Sequence, residues 1–263
     1  MTVTGSPFDL GGRRALVTGA ANGIGRQTAI SLADAGAEVI CADMNGNGAS
    51  ATAEAIVAAG GSASAATVDV SDRSQVFELI SGGPDLNILC NIAGILRHAP
   101  VDALAEADLD RVLAVNLKSV LFCGQAAVAG MRRAGNASII NLASAAIDAI
   151  APNLAAYAMS KAAIAQLTRN MATEWAPDGI RVNAVAPGFV DTAMTAHSYR
   201  GADGRIDEQG RADYLARMRG FTPLRIVGQA DDIVNAIWYL AADASRYVTG
   251  QILRPNGGIA MPW

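Results

Sequence analysis

The apolar positions of the chain gather in short runs that recur at regular intervals. RALVTG, AEVICAD, SAATVDV, LNILCNIAG, ASIINLAS, IRVNAVAPG and GQILRPNGG are rich in small and β-branched residues, and longer segments of helical pattern separate them. Most of the runs are close to continuously apolar rather than alternating, as strands are when helices cover both faces of a parallel sheet. Seven parallel strands joined by right-handed crossovers are therefore expected, in a doubly wound α/β fold that occupies residues 1–263 as a single domain. No repeat, low-complexity tract or linker interrupts the rhythm. The one break in composition is the polar, charged stretch TAHSYRGADGRIDEQGRADYLARMRGF, Thr195 to Phe221, which reads as an excursion from the core beginning at about residue 194.

Composition narrows the class of function. At 263 residues the chain can bury one substantial core, and with 51% hydrophobic and 17% charged residues it reads as a compact soluble protein. The first ten residues, MTVTGSPFDL, lack a basic start and an apolar core, and no uninterrupted apolar run approaches about eighteen residues, so a cytoplasmic location and no membrane partner are expected. A net charge of −4 gives no support for nucleic acid as a partner and favours small molecules. Cys41, Cys90 and Cys123 are widely spaced in apolar contexts and read as buried hydrophobes. His98 and His197 have no neighbours at ligand spacing, and no metal site is expected.

Two local patterns carry chemistry. The first apolar run passes directly into TGAANGIG, Thr18 to Gly25, and then into a helical segment beginning near Ile24. Gly19, Gly23 and Gly25 permit a tight turn and close approach of backbone to a pyrophosphate at a helix N-terminus, although a plain strand-to-helix corner has the same composition. At the end of the next run, Asp43 stands twenty residues past Gly23, about where a dinucleotide fold holds a carboxylate to ribose hydroxyls. The second pattern is AYAMSK, in which Tyr157 and Lys161 are four positions apart and share a helix face. An ammonium beside a phenol favours the phenolate and lowers its pKa from about 10, while a solvent-facing pair would do nothing of the kind.

Taken together, the glycine turn and YAMSK resemble the short-chain dehydrogenase/reductase family, over about Gly12 to Gly258. Thr18, Gly19, Gly23 and Gly25 match its Thr-Gly-x-x-x-Gly-x-Gly motif, with Asn22 and Ile24 between them in the cofactor turn. The resemblance implies a Rossmann-like fold and a nicotinamide cofactor. It implies further cofactor contacts at Asp69 and Val70, at Asn91, Ala93 and Gly94, and at Pro187, Gly188, Val190 and Thr192 of PGFVDT. The stretch NIAG has Ile92 where the family has a second Asn, which puts local hydrogen bonding in question more than chemistry.

The family's catalytic set corresponds to Asn116, Ser144, Tyr157 and Lys161. Tyr157 would exchange a proton with the substrate oxygen, Lys161 would lower its pKa and bond the nicotinamide ribose, and Ser144 would hold the oxygen. The resemblance gives Asn116 a place in a water-mediated proton path. The expected activity is hydride transfer between NAD(H) and a secondary alcohol or ketone. A reductase of carrier-bound 3-ketoacyl groups and a non-catalytic NAD-binding protein are the alternatives.

Three finer expectations follow. Asp43 has no basic residue beside it in CADMNGNG, which favours NAD over NADP. The helix after Tyr157 carries a large stripe of Ile164, Leu167, Met171 and Trp175 and a small stripe of Ala158, Ala162, Ala165 and Ala172; both read as buried, one against the sheet and one in a homotetramer. The excursion, with Gly201, Gly204 and Gly210, reads as a substrate lid that brings Met194, Tyr199, Tyr214 and Met218 over a medium-sized, partly apolar substrate. Its charges, including Arg205, Asp207, Glu208 and Arg211, fit a solvated helix face equally well.

Overall fold

Seven strands form from the seven runs in the computed structural model, which describes residues 5–150, 152–199 and 205–262. They are β1 (Arg14–Thr18), β2 (Glu38–Asp43), β3 (Ser62–Thr67), β4 (Ile88–Asn91), β5 (Ala137–Leu142), β6 (Ile180–Val185) and β7 (Ile252–Leu253). All pair in parallel, in the order β3-β2-β1-β4-β5-β6-β7. The helices are α1 (Gly23–Asp34), α2 (Gly46–Ala58), α3 (Arg73–Ser81), α4 (Glu106–Leu113), α5 (Ser119–Ala134), α6 (Ala155–Trp175), α7 (Glu208–Phe221) and α8 (Ala230–Ala241). The strand order reverses between β1 and β4, which opens a crevice at their C-terminal ends.

Successive residues of each inner strand feed opposite faces. Val17, Val39 and Cys90 join Leu32 of α1 and Ile233, Ile237 and Leu240 of α8 in one core. Leu16, Leu89, Ile139 and Val182 join Val76 and Ile80 of α3, Cys123 and Met131 of α5 and Met171 of α6 in the other. All three cysteines are buried, and burial pushes their thiols up, Cys41 to about 11 and Cys123 to about 12. At the N-terminal edge of the sheet, Arg181 of β6 is a buried cation at the C-terminal end of α8. It donates to the carbonyls of Leu240 (2.9 Å) and Ala242 (3.3 Å) and to the Ser245 hydroxyl (2.7 Å).

Three expectations change. β3 begins two residues before the run SAATVDV and stops short of Val68, and its Ser and Ala side chains are mostly exposed. As the edge strand it has a sheet partner on one side only, so it has no need of a continuously apolar sequence. On α6, Met171 and Trp175 pack over Gly124 of α5, and Ala165 and Ala172 are buried, but Ala162 is exposed and Leu167 and Trp175 are partly so. The two stripes are thus not both covered within one chain. Finally, α4 and α5 run together through a π-helical turn, Ala114–Lys118, into one helix over Glu106–Ala134 that is long and apolar enough to cross a membrane. Half of its most apolar stretch is buried within the fold, where α5 packs on α3 and the sheet.

Candidate functional site

A cavity of about 540 Å³ occupies the crevice at the C-terminal edge of the sheet. Its first wall is the glycine turn. Gly19 has φ +73°, and a Cβ there would lie 3.0 Å from the Ala93 backbone; a Cβ on Gly25 would overlap the Gly19 carbonyl oxygen at 2.0 Å. Only glycine lets the turn fold this tightly against β4 and α1. Asn22 caps α1 with its backbone alone, so no side chain engages the first-turn N–H groups around Gly23, Ile24 and Gly25 at the cavity wall. Such unfilled donors, with the positive end of the helix dipole, fit a phosphate.

Asp43 ties this turn to the end of β2. One carboxylate oxygen accepts from the Ala21 amide (3.0 Å) and the other from the Asn45 amide (2.8 Å). Farther along the same wall, Asp69 accepts from the Ser71 amide (2.9 Å) and hydroxyl (2.6 Å) and pairs with Arg111 at 3.6 Å. Burial works to raise the Asp69 carboxyl, but the Ser71 bonds and the Arg111 charge outweigh it and hold it below the usual carboxylate range. Val70 lies beside it on the cavity surface.

Behind the wall, β4 and the π-helical turn provide support. Asn91 donates to Asn141 (2.9 Å), which donates to Thr168 (3.0 Å), and the Thr18 hydroxyl accepts from the amides of Ile92 (3.0 Å) and Ala93 (3.2 Å). The side chain of Ile92 joins the apolar core, and the sheet is braced without a second Asn. Asn116, fully buried, accepts from the Ile95 amide (2.8 Å) and donates to the Ile95 carbonyl and to Ser160 (both 3.0 Å). Ser160 in turn donates to the Tyr157 carbonyl (2.7 Å). Asn91 and Asn116 therefore stand outside the cavity, whereas every other residue expected at the site lines it.

At the floor, Ser144 follows β5 and caps a one-turn helix, Ala145–Ile147, by accepting from the Ala146 amide (3.2 Å). The same hydroxyl lies near the Tyr157 phenol and favours its ionised form. Lys161, one turn farther along α6, is 3% exposed, and its ammonium donates to the Leu142 carbonyl. Gly94 leaves the space in which Lys161 and Asn116 meet: a Cβ there would lie 3.3 Å from Asn116 Oδ1 and 3.7 Å from Lys161 Nζ.

The electrostatics differ from the sequence expectation. Burial raises the Tyr157 phenol, and Ser144 only partly offsets it; Lys161 does not bring it below the ordinary value. Burial instead lowers Lys161, to about 8. Desolvation acts on both members of the pair and disfavours the charged form of each.

The loop after β6 closes the far wall with Pro187, Gly188, Val190 and Thr192, and Thr192 faces Gly23 across the cleft. Met194 and Tyr214 also line the cavity, as expected of a lid, but Tyr199 and Met218 do not. Tyr199 donates to Asp191 (2.5 Å), as does Arg211 (2.7 Å), which anchors α7 to the loop. Gly201 and Gly204, and the side chain of His197, lie outside the described residues. Arg111, Ile150, Leu154, Phe189 and Ile259 line the cavity without having been singled out in the sequence. Leu154 and Ile150 carried a signal, because they are apolar residues in the loop between Ser144 and Tyr157, and Phe189 lies inside PGFVDT itself.

Comparison with known proteins gives the same family. The family model described as Enoyl-(Acyl carrier protein) reductase matches residues 19–260. A gluconate 5-dehydrogenase of Gluconobacter oxydans (strain 621H) is 35% identical over 259 residues, covering 97% of this chain and 97% of the relative. The chain belongs to the short-chain dehydrogenase/reductase family. A 3-oxoacyl-(acyl-carrier-protein) reductase of Thermotoga maritima is 35% identical over 256 residues, covering 96% and 99% of the two chains. The crystal structure of a gluconate 5-dehydrogenase from Burkholderia cenocepacia J2315, in complex with NADP and tartrate, matches with a TM-score of 0.87 at 35% identity, over 96% of this chain and 97% of that one. This short-chain dehydrogenase/reductase is accordingly an oxidoreductase of the hydride-transferring alcohol/ketone kind.

Proposed function

We propose that this protein transfers hydride between NAD(H) and a secondary alcohol or ketone, with Ser144, Tyr157 and Lys161 as the reacting centre. The observation that carries the reading is the placement of Ser144, Tyr157 and Lys161 together on the cavity floor, between the glycine turn and the PGFVDT loop. When bound, the nicotinamide gives the hydride in reduction and takes it in oxidation. Ser144 donates to the substrate oxygen and Tyr157 exchanges its proton with it, as acid in reduction and base in oxidation. Lys161 holds a positive charge within 5.7 Å of the Tyr157 ring and supports the developing phenolate. Asn116 acts from behind: through Ser160 it fixes the first turn of α6, on which Tyr157 stands.

The residues on the cofactor side fit a dinucleotide. The uncapped start of α1 and the close-packed Gly19 and Gly25 would take the pyrophosphate, Asp43 the adenine ribose, and Asp69 and Val70 the base. NAD rather than NADP is supported by Asp43, because a 2′-phosphate at about 4 Å from its carboxylate is repelled by roughly 4 kcal/mol per charge pair before solvent weakens it. The three buried thiols suit a cytoplasmic setting, and the exposed outer face of α6 suits a homotetramer.

Reduction of a carrier-bound 3-ketoacyl group is the second reading, favoured by the match to the Thermotoga maritima reductase. The test is oxidation of NADH with a panel of ketones, repeated on Tyr157→Phe. Loss of about a hundredfold or more in kcat, with NADH binding retained, is expected. A variant that keeps its rate would remove Tyr157 from the chemistry, and cofactor binding without any turnover would favour a non-catalytic NAD-binding protein.

A further inference from the structure

We infer that the substrate carries one reactive oxygen on an apolar body without further hydroxyl or carboxylate groups; this rests on the hydride-transfer reading and names the class of substrate. The cavity has two chemically different ends. At the tips of β2 and β3 it is lined by Asp43, Asp69 and Arg111. At the tips of β5 and β6, beyond Ser144 and Tyr157, it is lined by Ala149, Ile150, Leu154, Phe189, Met194 and Ile259. Tyr214 of α7 stands over Phe189 edge-on, with ring centroids 5.3 Å apart.

Among the described residues, the polar side chains at this second end are few: the hydroxyls of Thr192, Thr195 and Tyr214, with His98, beside the reacting pair. The Thr195 hydroxyl donates to the carbonyls of Val190 (3.2 Å) and Thr192 (2.9 Å) and accepts from the Thr192 amide (3.0 Å). His98, on the wall after β4, is not free either. Among the described residues the lysine and arginine that line the cavity are Lys161 and Arg111. Lys161 donates to Leu142, and Arg111 donates to Ser71 (2.9 Å) and pairs with Asp69 at the cofactor end. A polyhydroxylated acid placed here would leave its carboxylate without a cation and most of its hydroxyls without partners, and each lost bond to water counts against binding. An apolar body gains with each methylene withdrawn from water. The pocket thus departs in chemistry from what the names of the gluconate 5-dehydrogenase relatives say of them, while the Ser144 and Tyr157 hydroxyls together satisfy a single carbonyl oxygen.

The test compares kcat/KM with NADH for 4-methyl-, 4-ethyl- and 4-propylcyclohexanone and for 5-ketogluconate. The cyclohexanones are expected to exceed 5-ketogluconate by at least a hundredfold and to rise by about fourfold per added methylene. Leu154→Asn, which suits the N-cap position that Leu154 holds on α6, is expected to flatten that rise. Preference for 5-ketogluconate, or a rate indifferent to methylenes, overturns the inference. If no ketone is turned over, the hydride-transfer reading fails instead. Equilibrium binding of the same compounds to the enzyme–NADH complex then decides the pocket: tighter binding of 4-propylcyclohexanone supports the apolar class, and tighter binding of 5-ketogluconate overturns it.

Discussion

Lys161 Nζ lies 5.7 Å from the centre of the Tyr157 ring, one helical turn away, yet its hydrogen bond goes to the carbonyl of Leu142. The ammonium is thus anchored to the end of β5 rather than to the phenol oxygen. The polar neighbour of the Tyr157 phenol is Ser144. The proton that the chemistry requires and the charge that supports it are held on separate partners.

Lys161 therefore titrates early. In the free protein its ammonium is expected to lose its proton near pH 8 rather than in the ordinary range near 10.5. The chain has two lysines, Lys118 and Lys161, so the two 13Cε signals of lysine-labelled protein, assigned with Lys118→Arg, report the titration directly. Between about pH 8 and 10.5 the unfolded chain holds this proton and the native one does not, so Lys161 adds stability as pH rises through that window. Below it both forms are charged, and the native state bears the full cost of burial. The raised Tyr157 acts in the opposite sense, above its ordinary value of about 10. A midpoint above 10 for Lys161 would show that the ammonium is hydrated.

Cofactor choice should turn on Asp43. The wild-type protein is expected to use NADH at least tenfold more efficiently than NADPH. Asp43→Asn is expected to reduce that discrimination by about tenfold or more, because the charge that repels a 2′-phosphate is gone. It should also lower efficiency with NADH modestly, since the two amides of Ala21 and Asn45 now meet only one acceptor oxygen. Equal wild-type efficiency with both cofactors, measured as kcat/KM, would end this reading of the carboxylate.

Stability far from the cavity should depend on Arg181. Its guanidinium fills the C-terminal end of α8, where helix carbonyls are otherwise unpaired, and it bonds Leu240, Ala242 and Ser245. Burial lowers it to about 10, with Arg13 adding to the effect, so it stays protonated at neutral pH. Arg181→Ala strands those acceptors and leaves a gap between β6 and α8. A loss of about 3 kcal/mol is expected, seen as a fall of roughly 6–12 °C in calorimetric Tm. A shift under about 2 °C would mean that water replaces the guanidinium freely.

What the sequence made legible was whatever a local pattern encodes. The glycine turn, Asp43 and Ser144 reach one cavity because each lies at or just past the C-terminal end of a strand, and strand ends can be read from apolar runs; Tyr157 and Lys161 reach it from the start of α6, marked by their i,i+4 spacing. The direction of the Tyr157 shift was not legible, since it depends on how much protein covers the phenol rather than on Lys161 being four residues away. Nor was the edge strand β3, whose exposure follows from sheet order. Arg111 escaped notice for a similar reason: its pairing with Asp69 joins α4 to the tip of β3 across 42 residues, and no local pattern marks such a contact.

Self-association should use the outer face of α6. Met159, Ala162, Gln166 and Arg169 are exposed there, with Met159 at 49%, although the opposite side of the helix is packed on α4 and β6. Light scattering at micromolar concentration is expected to give a mass near four times 26.9 kDa. Ala162→Arg, at an exposed position that the fold of one chain tolerates, should lower that mass. A single-chain mass for the wild type would leave the face to solvent.

The segment around α7 should respond to ligand. None of its side chains is buried, and its hold on the core runs through Asp191, which accepts from Tyr199 and Arg211 directly beside Val190 and Thr192 of the cofactor loop. Burial works to raise the Asp191 carboxyl, but these two bonds outweigh it and hold it below the usual carboxylate range. The clamp is therefore intact above the ordinary carboxylate pKa of about 3.9 and weakens only as pH falls through the lowered value. Hydrogen exchange in α7 is expected to slow when NAD and a substrate analogue bind together, because Tyr214 then packs over the occupied cavity. Asp191→Asn should abolish most of that slowing and raise KM for the ketone several-fold while kcat changes less, since Asp191 touches the loop and not the reacting oxygen. Exchange in α7 that stays the same on saturation would make it a fixed surface helix, with Asp191 serving the fold alone.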